Sequence, residues 1–413
     1  MMKWIKLSLR NILRNKRRSL YTIVTVSVGF ASIGLCYGYL HHTYWALSYL
    51  AIHGEGLGHL RINKAGWKQY SKIDKSKYML TYEETQKIMK TVGEEKGVIL
   101  STPQIQLAGL VSNGEISTLF VGQGVVPKDD KILQTQRWIK YSKIKGKRLT
   151  EDDPSGVEMS KGLSKYLNLT PGTKGVVMSN TIDGQMKALD IKINGVYDAG
   201  NEISNNKFLR FNFKFVQSLL DTQSTERIVV LLKDVTETEA MRKRLLKKLG
   251  AAGIHCEILT WNELSMVYSK VKSFLDAIFI FLFVIVLFIA VLSIINTMSM
   301  VVLERTREIG TLRTLGLKRK GVAIIFALEG AGLGFFGSIA GFVLHILVLG
   351  ITRYHPMRYT PPGASSSVLL YIDMVPGMLL VLFISFILTS MASAVISARH
   401  AAGKKIVDAL GHT

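Results

Sequence analysis

Three stretches hold side chains that could do chemistry, and two of them fail on spacing. In HGEGLGHL, His53, Glu55 and His59 carry metal-ligating groups. The run is glycine-rich and lacks the helical HExxH arrangement that sets two imidazoles on one face, so no metal site is expected there. Gly146-Lys147 lacks both the leading glycine and the following hydroxyl residue of a GxxxxGK[ST] phosphate loop, so the chain is not its own ATPase by that route. Scattered Ser, Asp and His residues form no nucleophile elbow. Neither a catalytic residue nor a bound cofactor is expected in this chain. The third stretch holds Glu329, an acid about 10 Å into an apolar segment by helical rise. A carboxylate at that depth has to face protein or water and pair with a cation or a backbone donor. One such acid without a ladder of intramembrane Lys, Arg or His points to a structural or conformational role rather than a proton relay. His345 lies too far along the same helix to be its direct partner.

The elements that position Glu329 are apolar. The 413 residues carry a formal charge of +22, yet long uncharged runs make the chain an integral membrane protein. No zinc-finger spacing, helix-turn-helix pattern or RNA-binding aromatic motif accompanies the charge. A basic rim on a membrane protein explains it, and nucleic acid is not expected as a partner. Cys36 lies in the first apolar run and Cys256 in the large hydrophilic region, so an intrachain disulfide is not expected. Four segments reach the roughly 20 apolar residues that a span needs: 20–42, 274–303, 322–351 and 374–398. Residues 1–19, 304–321 and 399–413 are basic, whereas 352–373 has only Arg353 and Arg358. Short basic loops collect on the cytoplasmic side, which predicts cytoplasmic termini and an outer region of 43–271.

Residues 1–19 carry Lys3, Lys6, Arg10, Arg14, Lys16, Arg17 and Arg18 and no acid. Ile5, Leu9 and Ile12 recur at helical spacing, predicting an amphipathic helix in the membrane interface whose cations reach anionic head groups. The alternative, a signal-peptide n-region, is disfavoured because the following apolar run is long enough to span and shows no small-x-small cleavage site.

Between the second and third spans lies ERTREIGTLRTLGLKRK, Glu304 to Lys320. Six basic residues, Arg305, Arg307, Arg313, Lys318, Arg319 and Lys320, stand there against Glu304 and Glu308. Ile309, Leu312 and Leu315 form an apolar stripe at helical spacing, which suits a short helix docking into a groove on a soluble partner. An ordinary basic loop obeying the positive-inside rule fits the spacing equally well. In the third span Gly330, Gly334, Gly337 and Gly341 leave one face almost bare backbone, where another helix can press close.

The outer region reads as an α/β frame at 43–107 and 206–260, in two β-α-β halves. Each half starts its helix on a capping box, Thr81-x-x-Glu84 and Thr236-x-x-Glu239, and Gly250 is the expected stop of the second helix. A β-rich insert at 108–205 carries tight-turn signals at Asn113-Gly114 and Asp183-Gly184. An unbroken helix from about Trp261 to Leu303 would be about 60 Å long, roughly twice the hydrocarbon thickness. That length predicts a stalk at 261–273, and the first span can extend likewise past Tyr44 and Trp45. The expected fold is therefore an α-helical membrane protein with four transmembrane helices plus a large α+β extracytoplasmic domain on stalk extensions of the first two.

REIGTLRTLGLKRK, the Glu329-Gly330 pair, the opening RNILRNKRRSL, the segment GKRLTEDDPSGVEMSKGLSKYLNLTPGTKGVVMSN and the phrase ILTWNEL together resemble the ABC permeases that include the lipoprotein-releasing (Lol), MacB-like and FtsX-like proteins. The resemblance covers essentially the whole chain. It implies a coupling helix resting on a separate cytosolic ATPase that holds ATP and Mg; Glu308, Gly310, Arg313 and Gly316 match the motif, and Glu304, Arg307, Ile309, Leu312 and Leu315 of the same stretch complete the candidate coupling residues. It also implies a second permease chain, identical or a paralogue, in a bacterial inner membrane with its lipids, and a periplasmic carrier or lipoprotein cargo. Efflux of the MacB-like kind and activation of an external hydrolase are the alternatives. A secondary transporter is a further one.

Overall fold

The computed structural model describes residues 8–402 except 9, 12, 13, 15, 72, 135–144, 201, 315, 362–364 and 366. In chain order the helices are α1 (Lys16–Tyr49), α2 (Trp67–Tyr70), α3 (Tyr82–Gly93), α4 (Pro127–Leu133), α5 (Lys161–Tyr166), α6 (Glu202–Asn205), α7 (Phe213–Leu220), α8 (Thr238–Ala251), α9 (Trp261–Leu264), α10 (Met266–Glu304), α11 (Thr306–Thr314), α12 (Arg319–Tyr354) and α13 (Pro376–Ala402). The large sheet is built from β1 (Leu60–Lys64), β2 (Val98–Ser112), β3 (Ser117–Val125), β4 (Lys145–Gly146), β5 (Gly156–Ser160), β6 (Lys174–Asn180), β7 (Met186–Tyr197), β8 (Phe208–Asn212), β9 (Arg227–Leu232) and β10 (Cys256–Thr260). The chain divides into two compact units, one of residues Met1–Tyr44, Val271–Arg358 and Leu369–Thr413, the other of Trp45–Lys270 and Tyr359–Val368.

Among the described residues four helices are long and apolar enough to cross a membrane: Lys16–Gly54, Met266–Glu304, Lys320–Tyr354 and Pro376–Arg399. The glycines of α12 divide their face between two neighbours. A Cβ built on Gly330 would sit 2.5 Å from the Cβ of Ala394 and 2.6 Å from the Ser390 carbonyl oxygen, both on α13. One on Gly337 would sit 2.6 Å from Val26 Cγ1, and one on Gly341 2.7 Å from Phe30 Cβ, both on α1. With hydrocarbon on the far side, such backbone approach supplies the van der Waals contact that holds helices together in lipid. Phe30 and Phe386 close the seam with ring centroids 6.1 Å apart. At one end of this bundle Asp373 accepts from His41 Nδ1 at 2.9 Å and His42 Nδ1 at 3.3 Å. Asp276 there accepts from Tyr44 and Lys272 at 2.6 Å each.

The second long helix begins later than its sequence predicts. Thr260 and Glu263 form a capping box that starts the single turn of α9. Ser265 then leaves helical geometry, at ψ 93°, and its Oγ accepts the Tyr268 N–H at 3.2 Å. That hydroxyl satisfies one of the donors a new helix start leaves open, so α10 begins at Met266.

In the other unit the strands run β10-β1-β9-β2-β3-β8-β5-β7-β4, with β6 pairing β2 and β7. The antiparallel group β10-β1-β9-β2 carries α3 and α8, and Leu60, Ile62, Ile88, Ile228, Val230, Met241 and Leu245 form its core. Thr81 and Glu84 form the capping box expected of α3. The Thr236 box is not the start of α8. Asp234 instead accepts the Thr236 N–H and leads through a 3₁₀ turn, Val235–Glu237, into a helix that begins at Thr238. That helix runs past Gly250 to Ala251, and the left-handed residue beyond it is Gly253, at φ +74°.

The proposed boundary at 108 falls inside a strand. β2 is continuous from Val98 to Ser112 and ends where Asn113 accepts the Glu115 and Ile116 N–H groups and Gly114 turns the chain at φ +98°. The boundary at 205 also moves: β8 pairs with β3 and β5, and α7 adds Phe213, Val216 and Leu219 to the same core as Val157, Leu163 and Ile193.

Candidate functional site

The site lies in the helical unit, where α10 gives way to α11. Glu304 is the last residue of α10, and Arg305 forms the turn that follows. Arg305 Nη1 donates to Glu329 Oε1 at 3.2 Å, and both side chains are 7% exposed or less. Asn11 Nδ2 donates to the same Glu329 oxygen. Taking two charges out of water is repaid only by close geometry, and breaking such a pair costs about 3–5 kcal/mol. Glu329 therefore fixes the start of the charged segment to the third apolar helix.

Two exposed pairs extend this anchor. Arg14 Nη2 donates to Glu308 Oε1 at 2.9 Å, and Arg18 Nη1 pairs with Glu304 Oε1. Further along, Thr22 Oγ1 of α1 and Thr297 Oγ1 of α10 lie 2.7 Å apart. Residues 11, 14, 18 and 22 ascend while Glu308, Glu304 and Thr297 descend, as antiparallel helices require. Exposed pairs are each worth about 0–1 kcal/mol. The buried pair sets position, and the exposed ones set register.

Glu308 lies on α11, as do Gly310, which is buried, and Arg307, Ile309, Leu312 and Arg313. Leu315 lies outside the described residues. Gly316 follows with φ +96°, backbone that an L side chain resists, and so ends the helix in the way a C′ glycine does. Gly330, Gly334, Gly337 and Gly341 are buried on α12. The sequence reading assigned the N-terminal cations to lipid head groups, but Arg14 and Arg18 face acids of this segment. It also left Arg305 without a partner. The sequence does hold a signal: acids four apart at 304 and 308 face cations four apart at 18 and 14. Ile5, Leu9 and Ile12 of the proposed amphipathic stripe lie outside the described residues.

The titratable groups of the other unit are structural. His59 Nδ1 accepts the Leu232 N–H at 3.0 Å, and burial pushes its pKa down to about 4, which keeps the ring neutral. His53 Nδ1 lies 2.9 Å from the Leu133 carbonyl oxygen, so that nitrogen carries the proton. Glu158, buried beside Arg210 at 3.8 Å, has its pKa raised by desolvation, which the guanidinium opposes. Among the described residues no three His, Cys, Asp or Glu side chains are placed to hold a metal ion.

Among the described residues, four helices apolar and long enough to cross a membrane, with a short charged helix between the second and third, define a multi-pass membrane architecture. Residues 280–406 match the FtsX-like permease C-terminal family model. The chain is 22% identical over 275 residues to the lipoprotein-releasing system transmembrane protein LolC of Neisseria meningitidis serogroup B, covering 63% of each chain. It is 33% identical over 124 residues to an uncharacterized ABC transporter permease of Methanocaldococcus jannaschii, covering 30% of this chain and 31% of that one. The chain thus matches less than two thirds of the length of these relatives. The crystal structure of the periplasmic region of MacB from Actinobacillus actinomycetemcomitans is similar at a TM-score of 0.37 and 18% identity, over 53% of this chain and 95% of that one. Residues 280–406 thus carry an FtsX-like permease C-terminal domain, and the chain is similar beyond it to the LolC protein named above.

Proposed function

We propose that this chain is the permease subunit of a machine in which a separate cytosolic ATPase, holding ATP and Mg, drives α11. Through α10 and α1 that motion reaches a periplasmic domain carried on stalk extensions of those helices. Its work is extraction of lipoproteins or other amphiphiles from the inner membrane toward a periplasmic acceptor. Two permease chains, identical or paralogous, act together, with cytoplasmic termini.

The observation that carries this reading is the anchoring of α11. A loop that only obeyed the positive-inside rule would need no buried Arg305–Glu329 pair at its base. A short helix held rigidly at its root can pass a push from a docked partner to the apolar helices, which a solvated loop would absorb. The likeness to LolC supports lipoproteins as cargo. The match to an FtsX-like domain supports a second reading, in which the same motion activates an external hydrolase and moves no cargo.

The test is reconstitution with the co-purifying ATPase in proteoliposomes that hold a fluorescent lipoprotein. ATP-dependent release to an added acceptor, absent without ATPase, supports extraction. Stimulated hydrolysis without release supports the signalling reading. Flux that needs no ATPase and vanishes in Glu329→Gln would replace both with a secondary transporter.

A further inference from the structure

We infer that Asn11, Arg14 and Arg18 are positioning residues, which hold α11 in register with the first span and so set how the coupling helix is presented to its ATPase. The inference deepens the permease reading and rests on it. Two joints bound the nine residues of α11: the turn at Arg305 and the left-handed Gly316. A short helix between two joints can rotate about its own axis even when one end is pinned. The Arg305–Glu329 pair pins that end at one point. Glu308, one turn into α11, is the lever, and Arg14 holds it at 2.9 Å. Arg18 on Glu304 and Asn11 on Glu329 complete three rungs between segments more than 280 residues apart in sequence.

The charges are sorted rather than diffuse. Residues 11, 14 and 18 fall within about 60° of one another at 100° per residue, while Lys16, on the opposite side, is exposed. General attraction between a basic helix and an acidic segment would not select positions at helical spacing. Because the Arg14 and Arg18 pairs are exposed, both can be broken and remade, which suits a setting that changes during a cycle.

The test uses the full chain with its co-purifying ATPase in proteoliposomes, plus one readout that needs no ATPase. Arg14→Glu and Glu308→Arg are each expected to lower ATPase stimulation about two- to five-fold, the range an exposed pair commands. The double variant Arg14→Glu/Glu308→Arg is expected to recover most of it. A double variant no better than the worse single one overturns the positioning role, since Glu308 would then act on the ATPase directly. Independently, in membranes without ATPase, a short thiol-specific cross-linker is expected to join Arg14→Cys to Glu308→Cys and not Lys16→Cys to Glu308→Cys. Equal cross-linking of both pairs, or of neither, overturns the clasp itself. If the cross-linking pattern holds but the wild-type chain stimulates no ATPase, the permease reading has failed and the positioning role fails with it.

Discussion

A single methyl group added along α12 discriminates between a helix face that packs and one that only looks capable of packing. Gly330→Ala places a Cβ 2.5 Å from the Ala394 Cβ and 2.6 Å from the Ser390 carbonyl oxygen, and a backbone oxygen within a helix cannot swing aside. Gly334→Ala meets Ser390 Oγ at 2.7 Å, which can rotate, but also Ile387 Cα at 3.0 Å, which cannot. Gly350 of the same helix has nothing within 4 Å. Alanine is favoured over glycine inside a helix by about 1 kcal/mol, whereas overpacking a close contact costs about 1–3 kcal/mol. Gly350→Ala should therefore be neutral to stabilising by up to about 1 kcal/mol. Gly330→Ala should destabilise by about 1–2 kcal/mol net, since the contact penalty exceeds the helical gain. Gly334→Ala should fall between them, and Gly334→Leu should separate α12 from α13 outright. Reversible unfolding of the detergent-solubilised protein, followed by circular dichroism against denaturant, measures each. Equal stability of Gly330→Ala and Gly350→Ala would refute the packing argument.

Further outcomes follow from the charged groups. Glu329→Ala leaves Arg305 buried without its anion and should lose about 3–5 kcal/mol in the same assay. Arg305→Met with Glu329→Leu removes both charges and should stay near wild-type stability while losing ATPase stimulation; a double variant as unstable as the single one would show that the pair is not a closed unit. His59 has a folded pKa of about 4 against an ordinary value of 6.5. Its contribution is thus fully present above about pH 6.5 and is lost as pH falls toward 4, by about 3 kcal/mol at most. The protection factor of the Leu232 amide, which donates to that ring, should fall over this window once intrinsic exchange at each pH is divided out, and His59→Gln should flatten the response.

How much of this was legible in the sequence depends on the length scale of the signal. The apolar runs, the capping box at Thr81 and the turn at Asn113-Gly114 rest on neighbours a few residues apart, and the four long helices and the β2–β3 hairpin followed from them. The four-glycine stripe was visible as a face, but that Gly330 and Gly334 meet α13 while Gly337 and Gly341 meet α1 depends on helix order in space. The extent of β2 depends on long-range pairing in the same way: its first half pairs with β9 and its second with β3 and β6, which no local signal at 108 reports. The break at Ser265 was hidden because a serine that caps one helix reads, in isolation, like a tolerable interior residue. Arg305 was one cation among six. Only the fold at Glu329 distinguished it.

The most direct measurement places a photo-reactive amino acid at Thr314, which is exposed near the end of α11, and another at Ile203, which is exposed in the other unit. Irradiation of intact membranes, followed by mass spectrometry of the adducts, identifies what lies against each. The account predicts that the Thr314 probe captures a chain bearing a nucleotide-binding phosphate loop, and that the Ile203 probe does not. Absence of any such ATPase at Thr314, or its capture at Ile203, would contradict the claim that α11 couples this permease to ATP.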